Sequence, residues 1–188
     1  TLPSSASKLP RPPKKPKFSR SSLDDVLEAY TGPVPRHIAV IMDGNGRWAQ
    51  HRGLPRIEGH RRGVTSVREI VEECSRLGLT QLTLFCFSSE NWKRPKLEVD
   101  GLMALFMRSL KKEHKRLNKH NIKLRIIGDV SGFSDALQQQ IASVEAMTAD
   151  NDGMVLVIAA NYGGRWDIVQ AARSIATRVA SGELSVDD

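Results

Sequence analysis

Residues 154–160 read Met-Val-Leu-Val-Ile-Ala-Ala, an unbroken apolar run. It is far shorter than the ~20 residues that cross a membrane, and it lacks the alternation of a strand with one wet face. Such a run suits a strand buried on both faces, as in a parallel sheet layered with helices. The rest of the chain repeats the theme. His37–Met42, Gln81–Phe87 and Ile122–Ile127 are shorter apolar runs that predict three more strands. Between them apolar residues recur at helical spacing. Val64, Val67, Ile70, Val71 and Cys74 mark a helix over Gly63–Leu77, closed by Gly78. Val99, Leu102, Met103, Phe106, Leu110 and Leu117 mark one over Val99–Asn118. Further helices are expected over Ser134–Thr148, capped by Ser134, and over Arg165–Ala180. The expected fold class is α/β: a single domain with a parallel β-sheet flanked by helices on both faces. Ligands of such sheets sit beyond the carboxyl ends of the strands. That rule selects Asp43–Trp48, Ser88–Arg94 and Asn161–Trp166.

The net charge of +7 suggests anionic partners, but it is unevenly placed. Lys8, Arg11, Lys14, Lys15, Lys17 and Arg20 lie in the first 22 residues, which hold no acid; without them the chain is nearly neutral. No nucleic-acid partner is therefore expected, and an anion site must come from local arrangement. Residues 1–34 read as a basic, Pro/Ser-rich flexible segment with a short helix over Ser22–Tyr30 capped by Ser22, ahead of a domain over 35–188. The segment fits the tail of an organelle transit peptide and a plain linker equally well. Cys74 and Cys86 lie in apolar patterns without metal-type spacing, and both are expected as buried free thiols.

The first strand ends in Asp43-Gly44-Asn45-Gly46-Arg47-Trp48. Two glycines let backbone approach a ligand, the chain can then open a helix whose amides bind phosphate, and Arg47 adds a bidentate partner. Asp43 would repel a phosphate unless a cation such as magnesium bridged them. A Gly-rich turn with a capping aspartate fits the same residues. Arg52, Arg56, His60, Arg61 and Arg62 form a basic cluster ahead of the next helix, which suits either a diphosphate clamp or a solvated face. The second strand ends in a loop, Ser88-Ser89-Glu90-Asn91-Trp92-Lys93-Arg94, dense in polar chemistry. Asn161-Tyr162-Gly163-Gly164-Arg165 reads as a structural turn.

Five segments in order, HIAVIMDGNGRWA (37–49), RIEGHRRG (56–63), LTLFCFSSENWKRPKLEV (82–99), LRIIGD (124–129) and IAANYGGRWDIVQA (158–171), resemble the cis-prenyltransferase family, the undecaprenyl and dehydrodolichyl diphosphate synthases. The resemblance implies condensation of isopentenyl diphosphate with an allylic diphosphate, with Mg2+, to give a cis-polyprenyl diphosphate of the dolichol type. It implies Asp43 as metal ligand and, with Asn91, as catalytic residue. It implies Gly44, Asn45, Gly46, Arg47, Trp48, Arg56, His60, Ser88, Ser89, Glu90, Trp92 and Arg94 as substrate-binding, and Glu98 as a carboxylate of the same mobile segment. A hydrophobic tunnel is implied, which we expect between the helices over 99–118 and 134–148, lined by Met103, Phe106, Leu110, Ile141 and Met154. The resemblance further implies a homodimer; the transit-like composition of the N-terminal segment points to an intracellular setting, cytoplasmic or plastid, and a lipid product points to peripheral membrane contact. The family pattern continues into an arginine-rich RTGG-type segment and a late glutamate, neither of which stands in these 188 residues, so the domain is expected to be incomplete at its C-terminus. A non-catalytic partner subunit of a heteromeric enzyme is the alternative.

Overall fold

The computed structural model describes residues 32–33 and 35–187, so the expected helix over Ser22–Tyr30 lies outside the described residues. All elements below belong to the unit spanning Val34–Asp188.

Four strands, β1 (His37–Ile41), β2 (Gln81–Ser88), β3 (Lys123–Ile127) and β4 (Val155–Tyr162), form one parallel sheet in the order β1-β2-β4-β3. The registers Ile41↔Phe85 and Phe85↔Ala159 bring the strand ends level. The apolar run that fixed the fold class lies in central β4, where Leu156 to Ala160 are all buried. Among the described residues five α-helices accompany the sheet: α1 (Asn45–Gln50), α2 (Arg56–Arg76), α3 (Lys96–Lys119), α4 (Asp135–Met147) and α5 (Gly164–Ala180). Leu82, Leu84, Leu124, Leu156 and Ile158 of the sheet pack with Val71 and Cys74 of α2, Leu110 and Leu117 of α3, and Leu137, Ile141 and Val144 of α4 in one core.

The parallel sheet flanked by helices is as expected; Ile41 and Ile127, on the edge strands β1 and β3, are exposed, and α5 buries no residue. Three expectations need correction. Helix α2 begins at Arg56, a full two turns before Gly63, so the basic cluster is largely helical rather than a loop ahead of a helix. Ser134 occupies the N-cap position of α4, but its side chain makes no capping hydrogen bond. Cys74 is buried as expected, whereas Cys86 is exposed, because it lines the cavities described below.

The β3 side of the sheet is closed by side chains of α4 and of its C-cap residue Thr148. The Leu124 amide donates to Thr148 Oγ1 (3.1 Å) and the Ile126 amide to Glu145 Oε1 (2.8 Å). Two orphan strand donors are thereby satisfied without another strand, which blunts an edge open to pairing.

Candidate active site

Because all strands run the same way, the Asp43, Ser88 and Asn161 turns share one edge of the sheet. The β1 turn is built by glycine. Gly44 has φ +84°, a left-handed conformation that L side chains resist, and its carbonyl accepts the Trp48 amide at 2.8 Å to start α1. Helix α1 then lies against α2 at two glycines one turn apart. A Cβ on Gly59 would stand 1.8 Å from the Asn45 carbonyl oxygen, and one on Gly63 would stand 2.9 Å from the Asn45 amide nitrogen. A Cβ on Gly46 would meet the Arg56 guanidinium at 2.7 Å. These three glycines bring the aspartate loop and the first turns of α2 together.

The result is a polar cleft of about 280 Å³, lined by Asp43 to Arg47, Arg56, His60, Asn91 and Arg94, with Met42, Cys86 and Leu102 at its base. Asp43 points outward with its side chain 71% exposed. Its carboxylate accepts the Gly44 amide and Arg47 Nη2 (2.8 Å). That amide bond, followed by the Arg47 charge, holds its pKa below the ordinary value, so it is ionised at neutral pH. Asn91 is fixed by its own turn: its Oδ1 accepts the Ser88 amide at 3.0 Å, closing a reciprocal cap on the 3-10 turn Ser89–Lys93.

Glu98, in the first turn of α3, organises the opposite wall. Arg56 Nε donates to both its oxygens at 3.1 Å, and Arg94 Nη1 donates to Oε1 at 2.8 Å. Burial alone would raise the Glu98 carboxyl; the hydrogen bonds and charges of Arg56 and Arg94 outweigh it and keep the pKa low. The Arg56 guanidinium also reaches Gln50 Oε1 at 2.9 Å. His60 Nε2 lies 3.8 Å from Glu98 and is a buried polar atom with no hydrogen-bond partner. Burial, with the nearby Arg94 charge, lowers its pKa, so the ring is neutral at neutral pH.

Behind the cleft lies an apolar cavity of about 220 Å³ between the sheet, α2 and α3. Met42, Asn45, His60, Cys86 and Leu102 line both spaces, so the two are adjacent. The walls of this cavity differ from those expected of the tunnel. Met103, Phe106 and Leu110 line it, but Ile141 and Met154 do not; they are fully packed core, and α4 contributes only Val144. The second wall is α2, through Val64, Val67 and Val71. Periodicity marked these residues as a buried stripe without distinguishing a cavity wall from a packed interface.

Not every implied site residue meets here. Trp48, Ser88, Ser89, Glu90 and Trp92 line neither space. The Trp48 ring instead carries the Arg52 guanidinium at 4.1 Å, and Arg61 pairs with Glu58. Glu90 pairs with Lys93 at 2.6 Å. Trp92 packs edge-on against Phe87 (5.1 Å between centroids) and beside Phe133, and its Nε1 donates to Asn161 Oδ1 at 2.8 Å. Asn161, buried and at φ +52°, also donates from Nδ2 to the Asp129 carbonyl at 2.7 Å. The third turn thus anchors the catalytic-type loop through Trp92, which accords with its structural reading. Sequence reasoning missed Cys86 as a lining residue, and nothing in its apolar surroundings could have flagged it.

An arginine-lined polar cleft at the strand ends, with an apolar cavity directly behind it, defines an α/β protein whose candidate site lies at the carboxyl edge of a parallel sheet. The comparisons with known proteins agree. The family model described as "Putative undecaprenyl diphosphate synthase" matches residues 41–187. The chain is 53% identical over 161 residues to the farnesyl-diphosphate-specific ditrans,polycis-undecaprenyl-diphosphate synthase of Vibrio parahaemolyticus, covering 86% of this chain and 64% of that one. It is 57% identical over 163 residues to that of Pasteurella multocida, covering 87% and 68%. The crystal structure of lavandulyl diphosphate synthase from Lavandula x intermedia, in complex with dimethylallyl diphosphate, superimposes with a TM-score of 0.78 at 40% identity, over 81% of this chain and 66% of that one. The chain therefore belongs to the undecaprenyl diphosphate synthase family of cis-prenyltransferases, and it spans about two thirds of the length of these curated relatives.

Proposed function

We propose that this chain carries the catalytic cleft of a cis-prenyltransferase, which condenses isopentenyl diphosphate with an allylic diphosphate. The observation that carries the reading is that the polar cleft and the apolar cavity lie side by side and share Met42, Asn45, His60, Cys86 and Leu102 as lining residues. The cleft suits the diphosphate and the cavity suits the prenyl tail. Arg47, Arg56 and Arg94 bind the diphosphate oxygens, and His60 offers them its unpartnered Nε2. The allylic carbon–oxygen bond breaks and its electron pair leaves with the diphosphate. The isopentenyl double bond attacks that carbon, and a proton is lost from the adjoining carbon to form the new cis double bond. The Asp43 carboxylate, ionised and beside Asn91 in the cleft, is the group suited to take that proton, while Asn91 orients the isopentenyl unit.

The residues present fit magnesium. Among the described residues no cluster of three metal-ligating side chains exists. One exposed, ionised carboxylate beside an anion cradle is nevertheless the donor set magnesium accepts, completed by phosphate oxygens and water. Asp43 would hold it, and the ion when bound would neutralise charge on the departing diphosphate.

The exposed Ile41 and Ile127, with Ile168 and Ile175 on α5, support assembly as a homodimer. The lipid character of a dolichol-type product supports peripheral membrane contact; among the described residues no helix is long and apolar enough to cross a membrane. An intracellular site, cytoplasmic or plastid, goes with this reading. A non-catalytic partner role is not favoured, because Asp43, Arg47 and Asn91 all stand in the cleft. The test is magnesium-dependent incorporation of labelled isopentenyl diphosphate by the full-length protein. Asp43→Ala should lower it by roughly a hundredfold or more; full activity in that variant would remove the assignment.

A further inference from the structure

Helix α3 carries a charge imbalance that the cleft does not use. From Gly101 to Lys119 its only carboxylate is Glu113, against Arg108, Lys111, Lys112, Lys115, Arg116 and Lys119. Helical geometry sorts these groups. Glu113 turns toward α2 and pairs with Arg68, and Arg116 turns the same way and pairs with Glu72. Arg108, Lys111, Lys112, Lys115 and Lys119 are all exposed and recur at spacings that place them on one outer flank. Among the described residues no carboxylate pairs with any of these five. A merely solvated helix face mixes both signs of charge; this one holds a single sign along roughly 16 Å of helix.

The same flank has an apolar end. Leu97 stands eighteen residues before Lys115, which is five full turns, so both lie on one side of the helix. Leu97 is 88% exposed and lines neither the cleft nor the cavity. Leu105 and Ser109, next round the helix from Lys112, line the apolar cavity, so the seam between α2 and α3 adjoins the basic stripe. Four of the five cations are lysines, hydrated point charges on flexible stems. They suit mobile headgroups and supply no planar fork for a base edge. Nor does the flank offer a ring on which bases could stack: Phe106, the aromatic residue of α3, faces the cavity. We infer that the outer flank of α3 is a docking surface for an anionic lipid bilayer, with the lysines on the headgroups and Leu97 entering between them. Docked this way, the protein holds the α2–α3 seam beside the layer in which prenyl lipids dissolve. That benefit rests on the proposed prenyl diphosphate reading; the attraction itself rests on charge.

The test is sedimentation of the full-length protein with vesicles of phosphatidylcholine containing about one third phosphatidylglycerol. The parent should bind them, less tightly as salt rises, and should pass over vesicles of phosphatidylcholine alone. Each lysine beside such a surface contributes roughly fivefold in affinity, so Lys111→Gln/Lys112→Gln/Lys115→Gln/Lys119→Gln should weaken binding by roughly a hundredfold or more. Changing the same four lysines to arginine keeps the charge and should keep the binding. Leu97→Ser, with charge unchanged, should weaken it by roughly tenfold. Lys8→Gln/Lys14→Gln/Lys15→Gln/Lys17→Gln removes four charges from the N-terminal segment instead. If that variant loses the vesicles while the α3 glutamine variant sediments like the parent, the docking surface is overturned. Binding of single-stranded RNA in place of vesicles, abolished by the same four α3 changes, overturns it in favour of a nucleic acid. Inorganic pyrophosphate with magnesium should bind the parent and the α3 variant alike, since none of the four lysines lines the cleft. If neither binds pyrophosphate while vesicles still tell the two apart, the surface stands and the prenyl diphosphate reading falls.

Discussion

Replacing Gly59 by alanine tests how the site is assembled from a position that does not itself line the cleft. The new Cβ would stand 1.8 Å from the Asn45 carbonyl oxygen and 3.1 Å from Ala49 Cβ. The first neighbour is backbone at the start of α1, so it cannot rotate aside. Restoring ordinary contact at 3.4 Å or more requires α1 and α2 to separate by roughly 1.5 Å. Overpacking of this kind costs about 1–3 kcal/mol, and a backbone clash lies at the upper end. Alanine returns about 1 kcal/mol of helix propensity over glycine. The net loss is about 2 kcal/mol, which lowers the melting temperature by about 4–8 °C for a domain of this size. Gly63→Ala is the built-in control. Its Cβ would meet the Asn45 side-chain amide at 2.9 Å, a group that can rotate. The propensity gain should then offset most of the contact, and the melting temperature should stay within about 2 °C of the parent. Both variants displace Asn45, so both should bind inorganic pyrophosphate with magnesium more weakly by calorimetry. If Gly59→Ala melts with the parent, the close seating of α1 on α2 is not what holds the aspartate loop in place.

Three other expectations follow from the site's wiring. The Glu98 carboxyl has a folded pKa below its ordinary 4.5, so its bonds to Arg56 and Arg94 contribute stability at higher pH that is lost as pH falls through the folded value. Glu98→Gln should therefore flatten the acid limb of a stability-against-pH curve, and an unchanged limb would contradict the assignment. Trp92→Phe keeps the ring stack but leaves the buried Asn161 Oδ1 without its donor, which should cost about 1–3 kcal/mol in chemical denaturation, whereas Trp48→Phe should cost far less. Cys86 opens on the cavity but is walled by apolar groups, and burial pushes its thiol up to about 12. It should alkylate with iodoacetamide far more slowly at pH 8 than an ordinary thiol, as mass spectrometry of the modified peptide can show.

The sheet and the cleft's motifs were legible because they depend on local pattern. An uninterrupted apolar strand has one common architectural use, and Asp43-Gly44-Asn45-Gly46-Arg47 is a turn whose composition exceeds what a turn needs. The start of α2 was not legible. Gly59 and Gly63 sit inside a helix, where glycine normally weakens the element, and only the later docking of Asn45 against them explains the spacing. Helical geometry also sorts the basic cluster: Arg56 and His60, four apart, face the cleft, while Arg61 turns to Glu58. The cavity walls escaped for a related reason. Ile141 and Val67 carry the same periodic signal, but one is core and the other borders empty space. The Arg68–Glu113 and Glu72–Arg116 pairs join residues about 45 positions apart, which no local window connects.

Why the two motif loops must act as one follows from strand adjacency. Asp43 follows β1 and Asn91 follows β2, and those strands are paired neighbours with Ile41 opposite Phe85. Any rearrangement that separated them would also break the register that buries Leu82 and Leu84. The aspartate's position is thus tied to the stability of the core. The walls are less constrained: Arg56 and Arg94 reach the cleft from α2 and from the loop before α3, and only Glu98 binds them to each other. A diphosphate arriving in the cleft competes with Glu98 for the same guanidinium protons. In its absence the carboxylate satisfies both arginines and keeps them aimed, so part of the affinity for the anion is spent displacing it. Glu98→Gln should accordingly have opposing effects, releasing the arginines to the ligand and loosening their alignment. Which prevails is visible in the pyrophosphate dissociation constant: tighter binding marks Glu98 as a competitor, and weaker binding marks it as the group that positions Arg56 and Arg94.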